Sequence, residues 1–139
     1  MTSAALQSAI PSLDQLKPST SHASDPSTDI PALDGKVILI TGGNSGIGKQ
    51  TAIALARHDP AQIWIAARQA NSGLEAVRDI KVTRPGVDVK FLRLDLTTFE
   101  SIKAAAKIML AEAAKLDLLM LNAGIVSTYR RFTLMLERY

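Results

Sequence analysis

From residue 36 onward, hydrophobic positions alternate between short continuous runs and runs with helical spacing. The β-branched run at residues 36–41 predicts a strand buried on both faces, as in the sheets of parallel α/β proteins. Positions 47, 51, 55 and 58 have helical spacing, so residues 46–58 are predicted to form a helix. This helix should end before Pro60, because proline disfavours helical backbone at the residue before it. The next apolar run, Gln62–Ala67, predicts a second strand.

The same alternation continues to residue 124. Ser72 followed by Glu75 is a capping-box pattern that predicts the start of a second helix, and the same pattern at Thr97 opens a longer third helix. Residues 87–95 and 116–124 predict the third and fourth strands. The resulting β-α-β-α-β-α-β order predicts an α/β fold with a doubly wound parallel sheet and helices on both faces.

The beginning of the chain lacks this alternation. Residues 1–30 are rich in Ser, Thr, Pro and Ala, and ordering them would cost conformational entropy that little burial could repay. We therefore predict a disordered leader over residues 1–30, followed by one folded unit over residues 31–125.

Composition narrows the class of protein. Hydrophobic residues make up 47% of the 139-residue chain and charged residues 21%, which is ordinary for a globular domain. The net charge of +3 is spread along the sequence, so we predict no nucleic-acid partner. The chain has no cysteine, which excludes disulfides, cysteine-based zinc sites and thiol nucleophiles, and we predict no metal site. No apolar run approaches the roughly 18 residues of a membrane span, and we expect a cytoplasmic protein.

A glycine-rich loop at residues 41–49 lies between the first predicted strand and the first predicted helix. Two phosphate-binding motifs compete for it. Gly43 to Lys49 matches most of a Walker A loop, in which backbone N–H groups and a lysine hold nucleotide phosphates. Gln50 stands where that motif needs a Ser or Thr to bind magnesium, so a nucleotide triphosphatase is disfavoured.

The competing motif is a variant dinucleotide loop with glycines at positions 42, 46 and 48. Glycine lets the backbone turn sharply after the strand and approach a pyrophosphate closely. The N-terminus of the following helix then offers unpaired N–H groups and a partial positive charge to the anion. The same glycines could serve in a plain turn, but their position between a strand and a helix favours the dinucleotide loop.

Three short motifs together resemble those of the short-chain dehydrogenase/reductase family: TGGNSGIG at residues 41–48, LDLT at 94–97 and LNAG at 121–124. They occur in the family's order and on the expected elements. The resemblance covers residues 30–125, the front half of the family's domain, whereas residues 126–139 carry none of its motifs and are predicted to be a non-family tail. It implies a Rossmann-like sheet and hydride transfer between a nicotinamide cofactor and an unknown carbonyl or alcohol substrate.

The resemblance also implies where the cofactor binds. In the family, the glycine loop meets the adenosine ribose and the pyrophosphate, an acidic residue after the third strand meets the adenine amino group, and the Asn-Ala-Gly turn passes near the cofactor ribose. Each of these residues alone is also an ordinary turn or helix-entry residue, so the prediction depends on the joint pattern. The corresponding residues are Gly42, Asn44, Ser45, Gly46, Ile47, Gly48, Asp95, Leu96, Asn122, Ala123 and Gly124.

Arg68 bears on the choice of cofactor. Dinucleotide folds that prefer NAD place an Asp or Glu about 20 residues after the loop, where it binds the ribose 2′-hydroxyl. Arg68 stands at about that distance, at the end of the second predicted strand. A guanidinium can bind a 2′-phosphate through two hydrogen bonds, whereas a carboxylate would repel it, so NADP is predicted over NAD. The alternative is a solvated surface arginine.

The family's catalytic residues are not found in this sequence. The resemblance implies a Tyr-x-x-x-Lys pair with an upstream Ser, but Tyr129 is followed four positions later by Thr133, and Tyr139 is the last residue. We therefore predict no catalytic residue and a catalytically incomplete oxidoreductase. The alternative is a non-catalytic nucleotide-binding or regulatory module. The apolar fourth strand should form a sheet edge, through which self-association is expected.

Overall fold

A computed structural model of the chain describes residues 24–125. Its elements in chain order are β1 (Val37–Thr41), α1 (Gly46–Ala56), β2 (Gln62–Ala67), α2 (Ala70–Thr83), β3 (Asp88–Arg93), α3 (Phe99–Glu112) and β4 (Leu118–Met120). The strands form one sheet in the order β3-β2-β1-β4, and each neighbouring pair is parallel. The predicted Rossmann-like parallel sheet is thus confirmed.

The sheet is buried on both faces because side chains of β1 alternate between two hydrophobic cores. Ile38 and Ile40 belong to a core formed with α1 and α2. Leu39 packs on the other face with Trp64 of β2 and Met109 of α3. Both sets of positions are apolar, which explains why β1 is a continuous hydrophobic run in the sequence. The strand that carries the glycine loop is therefore fixed from both sides.

The strand predictions agree with the structure, closely for β2 and least well for β4. The predicted fourth strand covered residues 116–124, but β4 contains only Leu118–Met120. After Met120 the chain leaves the ladder because Asn122 bonds to Thr41, the last residue of β1. The small-residue end of the predicted strand is therefore a turn.

The two capping-box patterns do not mark the observed helix starts. Gln69 is the N-cap of α2, so Ser72 lies in the first turn, where its hydroxyl has other partners. The N-cap of α3 is Thr98, one residue later than the predicted Thr97. Its hydroxyl accepts a hydrogen bond from the backbone N–H of Ser101 at 3.4 Å.

Asp117 fixes the amino end of β4 to β1. Its Oδ2 accepts a hydrogen bond from Val37 N at 2.8 Å, and its own backbone N–H donates to Val37 O at 2.9 Å. The bond from Val37, assisted by two neighbouring lysines, holds the pKa of the Asp117 carboxyl below its ordinary value. Beyond this anchor, Leu119 and Leu121 are 49% and 79% exposed, as expected for an apolar edge. Self-association through the edge stays a prediction.

Residues 24–30, at the end of the predicted disordered leader, contain a turn. Asp25 Oδ1 accepts hydrogen bonds from Ser27 N and Oγ at 2.8 and 2.7 Å. The next residue, Pro26, has its carbonyl oxygen 2.8 Å from His58 Nε2, and Ile30 packs against the core. The rest of the predicted leader, residues 1–23, and the predicted tail, residues 126–139, lie outside the described residues. Within residues 24–125, every helix is too short or too polar to cross a membrane.

Candidate functional site

A cleft of about 890 Å³ opens at the carboxyl ends of the strands. It lies among the loops that follow β1, β2 and β3 and the turn that follows β4. β1 has β2 on one side and β4 on the other, and ligands of doubly wound sheets bind where the strand order reverses in this way. The volume is typical of a cofactor or small-molecule site. The cleft is lined by Thr41, Gly42, Asn44, Ser45, Gly46, Ile47, Ala66, Ala67, Arg68, Gln69, Leu94, Asp95, Leu96, Thr97, Asn122, Ala123, Gly124 and Ile125.

The structure brings together all but one of the residues predicted to bind a cofactor. The exception is Gly48, which is buried and does not line the cleft. A Cβ atom built at Gly48 would lie 2.5 Å from both the Gly42 carbonyl oxygen and Asn122 Nδ2. At Gly42, where φ is +66°, a Cβ atom would lie 2.9 Å from the Ala123 Cα atom. Both glycines therefore let the loop pack against the turn after β4, and Gly48 has a packing role.

The N-terminus of α1 lies at the wall of the cleft. Its N-cap residue Ser45 lines the cleft together with Gly46 and Ile47. The Ser45 side chain makes no capping hydrogen bond, and the first turn contains no acidic residue. N–H groups at a helix N-terminus lack intrahelical acceptors and carry a partial positive charge. This end of α1 can therefore hold an anionic group such as a phosphate.

Thr41 and Asn122 join the glycine loop to the turn after β4. Thr41 is only 4% exposed, and its Oγ1 accepts hydrogen bonds from the backbone N–H groups of Asn122 and Ala123 at 3.1 and 3.0 Å. The Asn122 side chain adds two more bonds, because its Nδ2 donates to Thr41 O at 3.1 Å and to Gly42 O at 3.3 Å. Asn122 was predicted to lie near the cofactor, whereas Thr41 was missed. The sequence feature that could have indicated Thr41 was its position as a polar residue at the end of an otherwise apolar strand.

Asp95 lines the cleft and also forms the turn that leads into α3. Its Oδ1 accepts hydrogen bonds from Thr97 N at 3.0 Å and Thr97 Oγ1 at 2.7 Å. These bonds favour the ionised carboxylate and hold the pKa of Asp95 below its ordinary value, with smaller contributions from the charges of Arg68 and Arg93. Asp95 therefore both forms the turn before α3 and lines the cleft, as each of the two interpretations of the sequence required. At neutral pH the Asp95 side chain is a charged hydrogen-bond acceptor at the cleft.

Arg68 follows β2 directly and is exposed at the cleft. Within residues 24–125 it forms no ion pair, whereas Arg84 and Lys90 are each paired with a carboxylate. An arginine without a carboxylate partner can bind an anionic group through two parallel hydrogen bonds. The position and exposure of Arg68 thus suit contact with a ligand phosphate.

Lys49 forms an ion pair with the neighbouring helix α2, whereas a Walker A lysine would reach the nucleotide phosphates. Its Nζ lies 2.5 Å from Asp79 Oδ2 of α2, and this hydrogen bond raises the pKa of Lys49. Lys49 does not line the cleft. The triphosphatase interpretation therefore lacks its lysine as well as the Ser or Thr that Gln50 replaces.

The family model described as short chain dehydrogenase matches residues 36–137. The chain belongs to the short-chain dehydrogenase family. Proteins of this family bind NAD or NADP, and the match to an oxidoreductase family does not favour the non-catalytic module considered from the sequence. The match also includes residues 126–137, which are predicted from the sequence to be a non-family tail, and the position of that boundary stays a prediction.

Curated relatives of the chain include fungal and mammalian proteins. The short-chain dehydrogenase/reductase drtF of Aspergillus calidoustus is 41% identical over 99 residues, which are 71% of this chain and 31% of the relative. Retinol dehydrogenase 12 of Homo sapiens is 43% identical over 94 residues, which are 68% of this chain and 29% of the relative. The chain therefore spans about a third of the length of these relatives.

Solved dehydrogenase structures share the fold. The structure of L-sorbose reductase from Gluconobacter frateurii complexed with NADPH and L-sorbose has a TM-score of 0.64 and 34% identity, covering 71% of this chain and 38% of that chain. NAD⁺-bound xylitol dehydrogenase has a TM-score of 0.62 and 27% identity, covering 67% and 35%. Both similarities support a Rossmann-like fold.

Three side chains with catalytic chemistry, a serine and two tyrosines, lie outside the described residues. Ser127, Tyr129 and Tyr139 all belong to residues 126–139. His58 is described, but it contacts the Pro26 carbonyl and does not line the cleft. The described part of the cleft is therefore formed by loops and by the N-terminus of α1.

One connection between two loops of the cleft was not predicted from the sequence. Asn44 Nδ2 donates a hydrogen bond to Ser72 Oγ at 3.1 Å, and Ser72 Oγ donates to Gln69 O at 3.3 Å. We call this pair of bonds the Ser72 link. It joins the glycine loop to the residue that follows Arg68. Ser72 was noticed in the sequence, but its hydroxyl was predicted to cap a helix and not to bond to Asn44.

Proposed function

We propose that this chain supplies the adenosine-binding part of an NADP site in an oxidoreductase that transfers hydride to or from a carbonyl or alcohol group. The family relationship supports the oxidoreductase class, and the cleft at the carboxyl ends of the strands supports a dinucleotide. Because the chain spans about a third of its curated relatives, the reaction of the whole protein is part of this proposal.

The position of Arg68 carries the choice of NADP. Similar structures include one complexed with NADPH and one bound to NAD⁺, so similarity alone does not choose between the cofactors. Arg68 lies at the cleft, immediately after β2, where a dinucleotide fold that prefers NAD has a carboxylate. A guanidinium there attracts a 2′-phosphate, which a carboxylate would repel.

The groups around the cleft suit the chemistry of a dinucleotide. The N-terminus of α1 offers N–H groups to a pyrophosphate, and Gly42 and Gly46 expose the backbone of the loop. The ionised Asp95 side chain can accept a hydrogen bond from an amino group such as that of adenine. When bound, the nicotinamide would exchange the hydride. The residues described here would hold and orient the adenosine end.

We propose further that the 139-residue chain binds the cofactor without catalysing turnover. Its sequence contains no Tyr-x-x-x-Lys pair, which the family uses to exchange the proton at the substrate oxygen. The chain, incubated with NADPH and a panel of aldehydes and ketones, should show no NADPH oxidation above background. Substrate-dependent oxidation by the purified chain would overturn this part of the proposal.

The cofactor preference is tested by titrating the chain with NADPH and NADH and following cofactor fluorescence. Arg68→Ala should weaken NADPH binding about 10- to 100-fold, the range expected for hydrogen bonds to a charged group, and NADH binding by less than about two-fold. Equal losses for the two cofactors would contradict a contact with the 2′-phosphate.

Arg93→Ala is the matched control for this titration. Arg93 of β3 lies opposite Ala67 of β2 in the sheet, and Ala67 is next to Arg68 in the sequence. Arg93 does not line the cleft. Both substitutions remove one positive charge from the same region. Arg93→Ala should therefore leave the ratio of the two dissociation constants unchanged. A similar loss of NADPH affinity in both variants would indicate a general effect of charge.

A further inference from the structure

We propose that Ser72 is a positioning residue that sets the preference for NADP by fixing the glycine loop relative to Arg68. This inference rests on the proposed function, because it concerns how two parts of the same cofactor site are held together. It assigns a role to a side chain that lies in the first turn of α2 and is absent from the lining of the cleft.

The Ser72 link connects two loops that come from different strands. Asn44 lies in the loop after β1, and Gln69 lies between β2 and α2. A single hydroxyl serves both: Ser72 Oγ accepts from Asn44 Nδ2 at 3.1 Å and donates to Gln69 O at 3.3 Å. The hydroxyl therefore uses one lone pair and its proton in the same link.

The ends of the link are next to the two groups that would hold phosphates. Asn44 is adjacent to Ser45, the N-cap of α1, and Gln69 is adjacent to Arg68. All four of these residues line the cleft. Fixing Asn44 relative to Gln69 therefore fixes the spacing between the helix N-terminus and the guanidinium.

This spacing affects the two cofactors differently. NADPH carries a pyrophosphate and a 2′-phosphate and would contact both sides of the link, whereas NADH would contact only the glycine-loop side. Holding two contacts at the correct spacing before binding raises affinity for a ligand that uses both of them. Loss of the link should therefore weaken NADPH binding more than NADH binding.

The test compares Ser72→Ala with Ser72→Thr, which keeps the hydroxyl, by titrating each variant with NADPH and NADH. Ser72→Ala should raise the dissociation constant for NADPH about five-fold and that for NADH less than about two-fold, as expected for the loss of one or two neutral hydrogen bonds. Ser72→Thr should stay within about two-fold of the original chain for both cofactors. Equal weakening of both cofactors by Ser72→Ala would mean a general structural role and would overturn the proposal, as would unchanged NADPH affinity.

A double variant separates this inference from the proposed function. In an Arg68→Ala background, Ser72→Ala should change NADPH affinity by less than about two-fold, because the guanidinium that Ser72 positions is absent. A full five-fold loss in that background would overturn the positioning role. If Arg68→Ala alone left NADPH affinity unchanged, the proposed NADP preference would fail first. If Arg68→Ala weakened NADPH binding but Ser72→Ala left the cofactor preference unchanged, only the role of Ser72 would fail.

Discussion

Thr41 and Asn122 are separated by 81 residues in the sequence and are joined by two hydrogen bonds, both donated by Asn122. The Thr41 hydroxyl accepts from the backbone of the turn after β4, and the Asn122 carboxamide donates to the backbone of β1 and its loop. Because β4 has only three residues, these bonds provide much of its attachment at the cleft. The same pair therefore holds the sheet edge and shapes one wall of the cleft.

Replacement of the Thr41 hydroxyl should destabilise the fold. Thr41→Val keeps the shape of the side chain but removes the acceptor for the Ala123 N–H group, and we expect the free energy of unfolding to fall by about 1–3 kcal/mol. Urea denaturation followed by circular dichroism measures this change. Thr83→Val is the control, because the Thr83 hydroxyl is exposed and bonds within its own helix, and it should change stability by less than about 0.5 kcal/mol.

Gly48 should tolerate no side chain, although it does not line the cleft. The Cβ atom of Gly48→Ala would meet the Gly42 carbonyl oxygen and the Asn122 side chain, so we expect a loss of about 1–3 kcal/mol in the free energy of unfolding. At Gly86 a Cβ atom would have no neighbour within 4 Å, and Gly86→Ala should leave stability unchanged or slightly raised. Equal stabilities of the two variants would contradict the close packing of the loop against the turn.

Asp117 should make stability depend on pH in the acid range. Its pKa is lowered in the folded state by the bond from Val37, from an ordinary value of 3.8. A lowered pKa contributes stability that is present above pH 3.8 and is lost as the pH falls through the folded-state value. Asp117→Asn should therefore lower stability at pH 7 and flatten the loss of stability on acidification.

Urea denaturation at a series of pH values between 7 and about 2.5 tests this role of Asp117. Asp34→Asn is the matched control, because the Asp34 side chain is exposed and accepts no hydrogen bond from residues 24–125. It should follow the pH profile of the original chain. A pH profile of Asp117→Asn that parallels the original would show that the bond to Val37 contributes no acid sensitivity.

Lys49 should contribute to the packing of α1 against α2 and not to nucleotide binding. Since its ammonium group is paired with Asp79, Lys49→Ala should leave NADPH affinity within about two-fold of the original value. The same titration with magnesium and ATP should show no binding that depends on Lys49. Magnesium-dependent ATP binding abolished by Lys49→Ala would restore the Walker A interpretation.

Features that depend on local spacing could be predicted from the sequence. The apolar runs of β1 and β2, the glycine loop between a strand and a helix, and the position of Arg68 all follow from residues close together in the chain. Because carboxyl ends of parallel strands meet at one edge of a sheet, the cleft residues could also be grouped correctly.

Features that depend on contacts between distant segments could not be predicted in this way. The role of Thr41 depends on a turn 81 residues away, and Ser72 bonds to Asn44, which is 28 residues away. The sequence around Ser72 fits a helix cap, but in the structure the Ser72 hydroxyl bonds to Asn44 and α2 begins earlier, at Ala70. Gly48 was predicted to bind the cofactor, but only the packed structure shows that it lies against Gly42 and Asn122 and does not line the cleft.

Charge reversal at Arg68 tests the proposed NADP preference most directly. The dissociation constants of NADPH and NADH should be measured for the original chain and for Arg68→Asp, with circular dichroism to show that both are folded. We expect the original chain to bind NADPH more tightly. Arg68→Asp should reverse the order, because a carboxylate repels the 2′-phosphate and accepts hydrogen bonds from a ribose 2′-hydroxyl. An unchanged order of the two affinities in the folded variant would contradict the role of Arg68 in the cofactor site.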